Sequence, residues 1–565
     1  MEIHLNDVFL DELYYMKRIN LLLGLLCSTF VACNSSKGIP ASTTSLDQQA
    51  LAQITASSFK SYVEKLSSDA FLGRLPFTKG DTLATDYIAA QFQALGLEAG
   101  NGDSYFQEVP MVEITSTATT STLTIEGSAK PVTLTNLSDY VVGSRQLKET
   151  ISLGKTPLVF AGFGIVAPEY NWNDYASLDV KGKIVVVMIS DPGHYNKDLF
   201  KGDNMTYYGR WTYKYEEAAR QGAAGVLIIH DSKAASYGWN VIRTGWAGAQ
   251  MDLQSAASLQ PYTPIEGWLS APATTQLFEA AGYSNQLLEE AKKPGFKAVD
   301  LKLQTSIAVS NKLKKSTSRN VIAKITGSKR PDEVVVYTAH WDHLGTGEAV
   351  NGDSIYNGAQ DNAAGVAALF EIAKAFKAAK VKPERSIILL AVTAEEQGLL
   401  GSAYYTSHPI YPLNKTVANI NMDAFNPVGA TSDLSIIGMG QSEMDDYLAR
   451  SAAKFGRTVQ AAGNPSSGGF YRSDHFNFAK VGVPALFAGS GKNYIDQDTV
   501  ALNKRKEAFK GRYHAVTDEL DENWTFEGIL ADIRVYFDLG YTLSSENTFP
   551  QWKAQSEFKE IGAKR

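Results

Sequence analysis

The chain has 565 residues, 44% of them hydrophobic and 20% charged, and a formal net charge of -7. That length exceeds what one hydrophobic core fills, so two or more domains are expected, and the acidic balance argues against a nucleic-acid binder, which shows a basic face. Both cysteines, Cys27 and Cys33, lie in one N-terminal apolar segment; the rest of the chain therefore has no disulfide framework, cysteine nucleophile or thiolate metal site, and metal ligands there must be His, Asp or Glu.

At the N-terminus, Lys17 and Arg18 precede a short apolar stretch from Leu21 to Ala32, shorter than the about 20 apolar residues of a membrane-spanning helix. It ends Phe30-Val31-Ala32-Cys33, followed by polar Asn34-Ser35-Ser36-Lys37. This order resembles a bacterial lipoprotein signal, with Phe30 where leucine is usual. The resemblance implies that Cys33 is lipidated and anchors an exported protein in the bacterial cell envelope, facing the periplasm, with the membrane engaged through that anchor alone. A start at Met16 gives a normal signal length. Residues 1–33 are assigned to the signal segment and 34–48 to a flexible tether rich in Ser, Thr, Gly and Pro.

Residues 50–97 carry helical patterning, interrupted by a loop at Phe71-Leu72-Gly73-Arg74-Leu75-Pro76, with an amphipathic helix over 82–95. From about Thr115 the texture turns Thr-rich and β-like. Strands are predicted at 157–162, 183–189 and 225–229, and a helix at 213–221. This block, assigned to 115–310 and flanked by a catalytic domain split over 49–114 and 311–565, resembles a protease-associated domain, a small β-rich module inserted into several peptidases. His194 and His230 stand alone there and read as structural, as does His408. Beyond Asn320, strands at 333–338, 386–392, 417–422, 434–437 and 484–487 alternate with helices at 362–379, 444–455 and 526–543. The fold class is α/β, a mixed sheet sandwiched by helices, in which ligands bind beyond the carboxyl ends of strands.

Chemistry-bearing residues sit at those ends. His340 closes the run Val334-Val335-Val336-Tyr337, with Asp342 as the nearest carboxylate to fix its tautomer; a surface His-Asp pair is the plainer alternative. Asp361 precedes Asn362-Ala363-Ala364-Gly365 and an apolar helix, where it is either an N-cap or a carboxylate able to bridge two cations. Glu395 and Glu396 follow a buried strand, and their repulsion is relieved either by a cation or by exposure at a helix start. One of the pair is free to take a proton from water while the other binds metal. Asp423 ends a further strand, and His514 lies in Arg512-Tyr513-His514.

The order His-x-Asp, Asp-Asn-Ala-Ala-Gly, Glu-Glu, Asp, Tyr-His resembles the co-catalytic dizinc exopeptidase family, which includes bacterial leucyl aminopeptidases, glutamate carboxypeptidases and glutaminyl cyclases. Leu72-Gly73-Arg74 and Arg472-Ser473-Asp474-His475 extend the resemblance. It implies two zinc ions, one held by His340, Asp361 and Asp423, the other by Asp361, Glu396 and His514. It also implies Glu395 as general base, Asp342 orienting His340, Tyr513 donating to the developing oxyanion, Arg472 near the substrate, and a cis peptide at Asp361-Asn362. Asp474 and His475 support the site or are structural, and His343 matches no ligand. Ala515-Val516 replaces the usual Thr-Pro. The implied activity is aminopeptidase cleavage of peptides. Alternatives are a carboxypeptidase of the same family, a single-zinc glutaminyl cyclase, or a non-catalytic receptor-like binding protein.

Overall fold

The computed structural model describes residues 46–254 and 262–565; the signal-like segment and Cys33 lie outside the described residues. At the centre of the sheet the strand Arg330–His340 runs parallel to Arg385–Val392 on one side and to Thr416–Asn421 on the other. Ala485–Ser490 continues the parallel order, and Asp433–Ile436 joins it antiparallel. Every residue of Arg385–Val392 is buried, as expected for a parallel strand covered on both faces.

Strand alternation decides which helices cover which face. Val334, Val336, Ile388 and Leu390 pack with Tyr405 and Phe478, from the helices Leu400–Ser407 and His475–Lys480. Tyr337 points the other way, and its hydroxyl donates to the Tyr536 carbonyl at 2.8 Å in the helix Glu527–Ser545. That helix packs on Ala364–Ala378. The fold is therefore the mixed α/β sheet with helices on both faces that the alternation predicts.

A second β-rich body is built from Thr150–Phe160, Ile184–Met188, Gly225–Ile229 and Ile265–Leu269, paired in parallel in that order. The chain leaves and re-enters the larger sheet on two long strands, Phe106–Ala118 and Val299–Ile325. These pair antiparallel from Phe106 against Val321 to Ala118 against Val309. The expected boundaries at 114/115 and 310/311 both fall inside these strands, so the passage between the bodies is a continuous β-ribbon. Two ion pairs clasp the bodies elsewhere: Lys201 Nζ to Glu557 Oε2 at 2.6 Å and Lys480 Nζ to Glu216 Oε1 at 2.8 Å.

Candidate metal centre

Three adjacent strands of the parallel order each deliver an acidic or imidazole group at the carboxyl end. His340 is the last residue of Arg330–His340, Glu395 and Glu396 lie just after Arg385–Val392, and Asp423 lies just after Thr416–Asn421. Asp361 comes from the loop that opens the helix Ala364–Ala378, at a cis peptide to Asn362. His514 arrives from a loop near the C-terminus with a φ of 55°.

Asp361 sits between the two histidines. Its Oδ1 lies 3.2 Å from His340 Nε2 and its Oδ2 lies 3.3 Å from His514 Nε2. His340 Nε2 is also 3.2 Å from Asp423 Oδ1, and His514 Nε2 is 3.0 Å from Glu396 Oε2. Burial alone would raise the Asp361 carboxyl, but the two imidazoles outweigh it and hold the group well below the usual range. Among the described residues Glu395 makes no such hydrogen bond to an imidazole. Burial drives its carboxyl well above the ordinary value, and the charges of Asp423, Asp474 and Glu396 add to the rise against His340.

Asp342 does more than neighbour His340. The His340 Nδ1 lies 3.2 Å from the Asp342 carbonyl and 3.7 Å from its carboxylate. That carboxylate accepts from the backbone N–H of Glu395 at 3.0 Å and of Glu396 at 3.3 Å, so one side chain sets the glutamate turn beside the histidine. Tyr513 is 75% exposed and stacks on His514 with ring centroids 3.9 Å apart. Tyr513, Arg472, Glu395 and Glu396 line a common cleft.

Four further residues support the site in ways that a reading of the sequence does not assign. His343 is buried and its Nδ1 lies 2.7 Å from Glu396 Oε1; its neighbour Gly358 leaves no space for a Cβ, which would meet the ring at 2.6 Å. Asp518 accepts the backbone N–H of Gln360 and of Asp361, each at 3.0 Å. Arg74, expected only as part of a motif, is fully buried and donates to the carbonyls of Trp341, Leu66, Asn357 and Gly358 at 2.6–2.8 Å. It thus ties the loop after His340 to the loop before Asp361. Ser473 Oγ donates to Asp423 Oδ2 at 2.6 Å and accepts from Asn421 Nδ2 at 2.7 Å.

The donor set fits a divalent metal. His340, Asp361 and Asp423 present ligand atoms within 4.8 Å of one another, as do His343, Asp361 and Glu396. Imidazole nitrogen with carboxylate oxygen suits zinc, and the buried Nε2 of His343 has no hydrogen-bond partner among the described residues.

Residues 320–537 match the model of peptidase family M28, and residues 155–256 match that of the PA domain. Residues 320–537 are a peptidase family M28 domain. All five expected ligands and Glu395 fall inside this M28 domain, whereas Arg74 comes from the segment before it. A probable zinc metalloprotease of Pyrenophora tritici-repentis is 47% identical over 88 residues, 16% of this chain and 18% of that protein. Carboxypeptidase Q of Xenopus laevis is 25% identical over 230 residues, 39% of this chain and 46% of that protein. The chain thus matches less than half the length of either relative. Among solved structures, an aminopeptidase from Aneurinibacillus sp. strain AM-1 aligns at 18% identity and a TM-score of 0.48, covering 89% of this chain and 97% of that one.

Proposed function

We propose that the protein is a zinc-dependent exopeptidase, specifically an aminopeptidase whose residues would hold two zinc ions, with Asp361 common to both ligand sets. The observation that carries this reading is Asp361 itself, whose two oxygens face two different histidines, each with a second carboxylate beside it. His340, Asp361 and Asp423, and Asp361, Glu396 and His514, would hold the zinc, which when bound would supply Lewis acidity to a substrate carbonyl and lower the pKa of water.

The protein's own groups perform the rest. Glu395, steered by Asp342 through its backbone N–H, takes the proton of the attacking water and returns it to the leaving amine. The Tyr513 hydroxyl, on the cleft wall with Glu395, donates to the oxyanion as the carbonyl becomes tetrahedral. Asp423 and Asp474 both bear on Glu395, and this acidic surrounding favours a substrate ammonium over a carboxylate beside it. The PA-containing body forms the facing wall and limits access to short peptides or chain ends.

Peptides blocked at one terminus test the reading, together with metal counting. The expected result is cleavage of C-amidated peptides with a free amine, resistance of N-acetylated ones, and two equivalents of zinc per chain. Cleavage of only the acetylated series would replace it with carboxypeptidase action, and one tight zinc would favour a cyclase. We further propose that Cys33 carries a lipid that holds the protein in a bacterial envelope. The basic, apolar and small-residue order before it supports this, and loss of lipid labelling in Cys33→Ser tests it.

A further inference from the structure

The cleft beside the metal centre has a volume of about 660 Å³, a size that takes a small peptide. It keeps that size only while its two walls keep their spacing. The antiparallel ribbon is one tie between the inserted body and the M28 domain. A second tie comes from the C-terminal tail, which follows the helix Glu527–Ser545 and lies beyond the M28 match. Trp552 Nε1 donates to the Gly482 carbonyl at 2.9 Å, and the Lys553 N–H donates to the Gln441 carbonyl at 2.9 Å. Trp552 and Phe558 pack with Phe470, Tyr471 and Phe476. These contacts seat the tail on the M28 domain and bring Glu557 to the place where the two bodies meet.

Glu557 takes donors from both bodies. From the inserted body, Lys201 Nζ lies 2.6 Å from Oε2 and the Tyr207 N–H donates to Oε1 at 3.4 Å. From the M28 side, the Tyr471 hydroxyl donates to Oε1 and Gln441 Nε2 donates to Oε2 at 3.4 Å. Burial alone would raise this carboxyl, but Lys201 and Tyr471 outweigh burial and hold it below the usual range. It therefore stays charged, and its hydrogen bonds are of the stronger, charge-assisted kind. Beside it the Tyr207 ring packs on Phe476 with centroids 5.0 Å apart, and the Met205 N–H donates to the Pro465 carbonyl at 3.2 Å. Tyr471 and Phe476 also line the cleft, so the clasp is continuous with the cleft wall. Polar interfaces between domains of one chain allow relative motion unless something fixes them.

We infer that Glu557 is a positioning residue: by clasping Lys201 and Tyr471 it fixes the spacing of the cleft walls and so sets the length of peptide that the enzyme admits. This rests on the peptidase reading above and names what sets the length limit given there. With the clasp closed, the cleft takes a short peptide or the end of a chain. With the clasp open, the inserted body is held by the ribbon alone, and longer chains enter.

The test uses the full chain, a double variant carrying Lys201→Met and Glu557→Gln, and Lys201→Arg. The double variant removes both charges, so no buried charge is left alone to unfold the protein, and Lys201→Arg retains the cation. The substrates are leucyl-alanine and a long unstructured peptide that begins with the same two residues. In the double variant, kcat/KM for the long peptide relative to the dipeptide is expected to rise about tenfold, from a lower KM. Zinc content and kcat on leucyl-alanine should stay unchanged, and Lys201→Arg should resemble the parent chain. An unchanged ratio in the double variant, whatever its Tm, overturns the length gate and leaves Glu557 with a stabilising role only. Amide exchange gives a reading that needs no turnover. The Met205 N–H is expected to exchange faster in the double variant while the ribbon amides keep their rates, and equal protection at Met205 overturns the clasp. If the parent chain cuts no peptide, the peptidase reading has failed and the length gate with it, and exchange at Met205 still decides the clasp.

Discussion

Glu395 and Glu396 are neighbours in the chain, yet their surroundings pull them apart. Glu396 lies against His343 and His514, whose imidazoles outweigh burial and lower its carboxyl, while Glu395 is raised by burial, with neighbouring acids adding to the rise against His340. This division matches the proposed roles, in which Glu396 stays ionised beside a cation and Glu395 accepts and releases a proton. Glu395→Gln is therefore expected to retain zinc in full while kcat falls by about a hundredfold to ten-thousandfold; metal analysis beside steady-state kinetics checks both halves. His343 touches Glu396 directly, so His343→Ala is expected to weaken zinc binding by about 10- to 100-fold. A competition titration against a chromophoric chelator measures it, and unchanged affinity would remove His343 from the site. His340 and the glutamate pair were readable in the sequence because each follows an apolar run, whereas Asp361 precedes one and His514 gained its role only through the family resemblance. The grip of His343 on Glu396 and the four carbonyls gathered by Arg74 were not readable, since those contacts join stretches far apart in sequence that only the fold brings together.

At the level of elements, the site is a property of strand ends. Parallel strands bring His340, the glutamate turn and Asp423 to one edge of the sheet, and the loop from Gly358 to Asp361 is fixed from outside by Asp518 and Arg74. The strand Arg385–Val392 was legible from its apolar run Ile387 to Val392, and Thr416–Asn421 from Val417, Ala418 and Ile420 despite Asn419 and Asn421; both are buried at every position. The strand Val299–Ile325 was not, because its middle carries Lys312, Lys314 and Lys315 and reads as a boundary; there it is half of an exposed ribbon and needs only one covered face. The clasp between Lys201 and Glu557 also joins elements distant in sequence. Glu557 has 3% of its side chain exposed and accepts from the Tyr471 hydroxyl as well. Lys201→Met leaves that carboxylate short of its cation and is expected to cost about 3 kcal/mol, read as a lower Tm with zinc content unchanged.

For the whole molecule, the metal centre is a concentration of like charge that the fold alone does not balance. Arg74 is the buried cation among Asp342, Asp361, Glu396 and Asp518, and a bound divalent ion favours the folded state by mass action. Removing metal with EDTA is expected to abolish peptide hydrolysis and to lower Tm, with a stabilisation of about 4 kcal/mol lost if zinc stands at a thousand times its Kd. Added zinc should restore both, and a Tm indifferent to EDTA would deny the coupling. The existence of two bodies was legible from the change in texture near Thr115, but the cleft between them was not. Its two walls come from stretches far apart in sequence.

The ribbon that carries the chain between the bodies has a thermodynamic consequence. Domains joined by slack linkers melt one after the other, each as its own cooperative unit. Here Phe106–Ala118 and Val299–Ile325 belong to both bodies at once, so neither can lose its strands without fraying the other's edge. Calorimetry of the zinc-loaded chain should accordingly give one heat-absorption peak, and amides along the ribbon should exchange with deuterium at a common, slow rate from one body to the other. Two resolved peaks would mean that the ribbon breaks in the middle before either body unfolds.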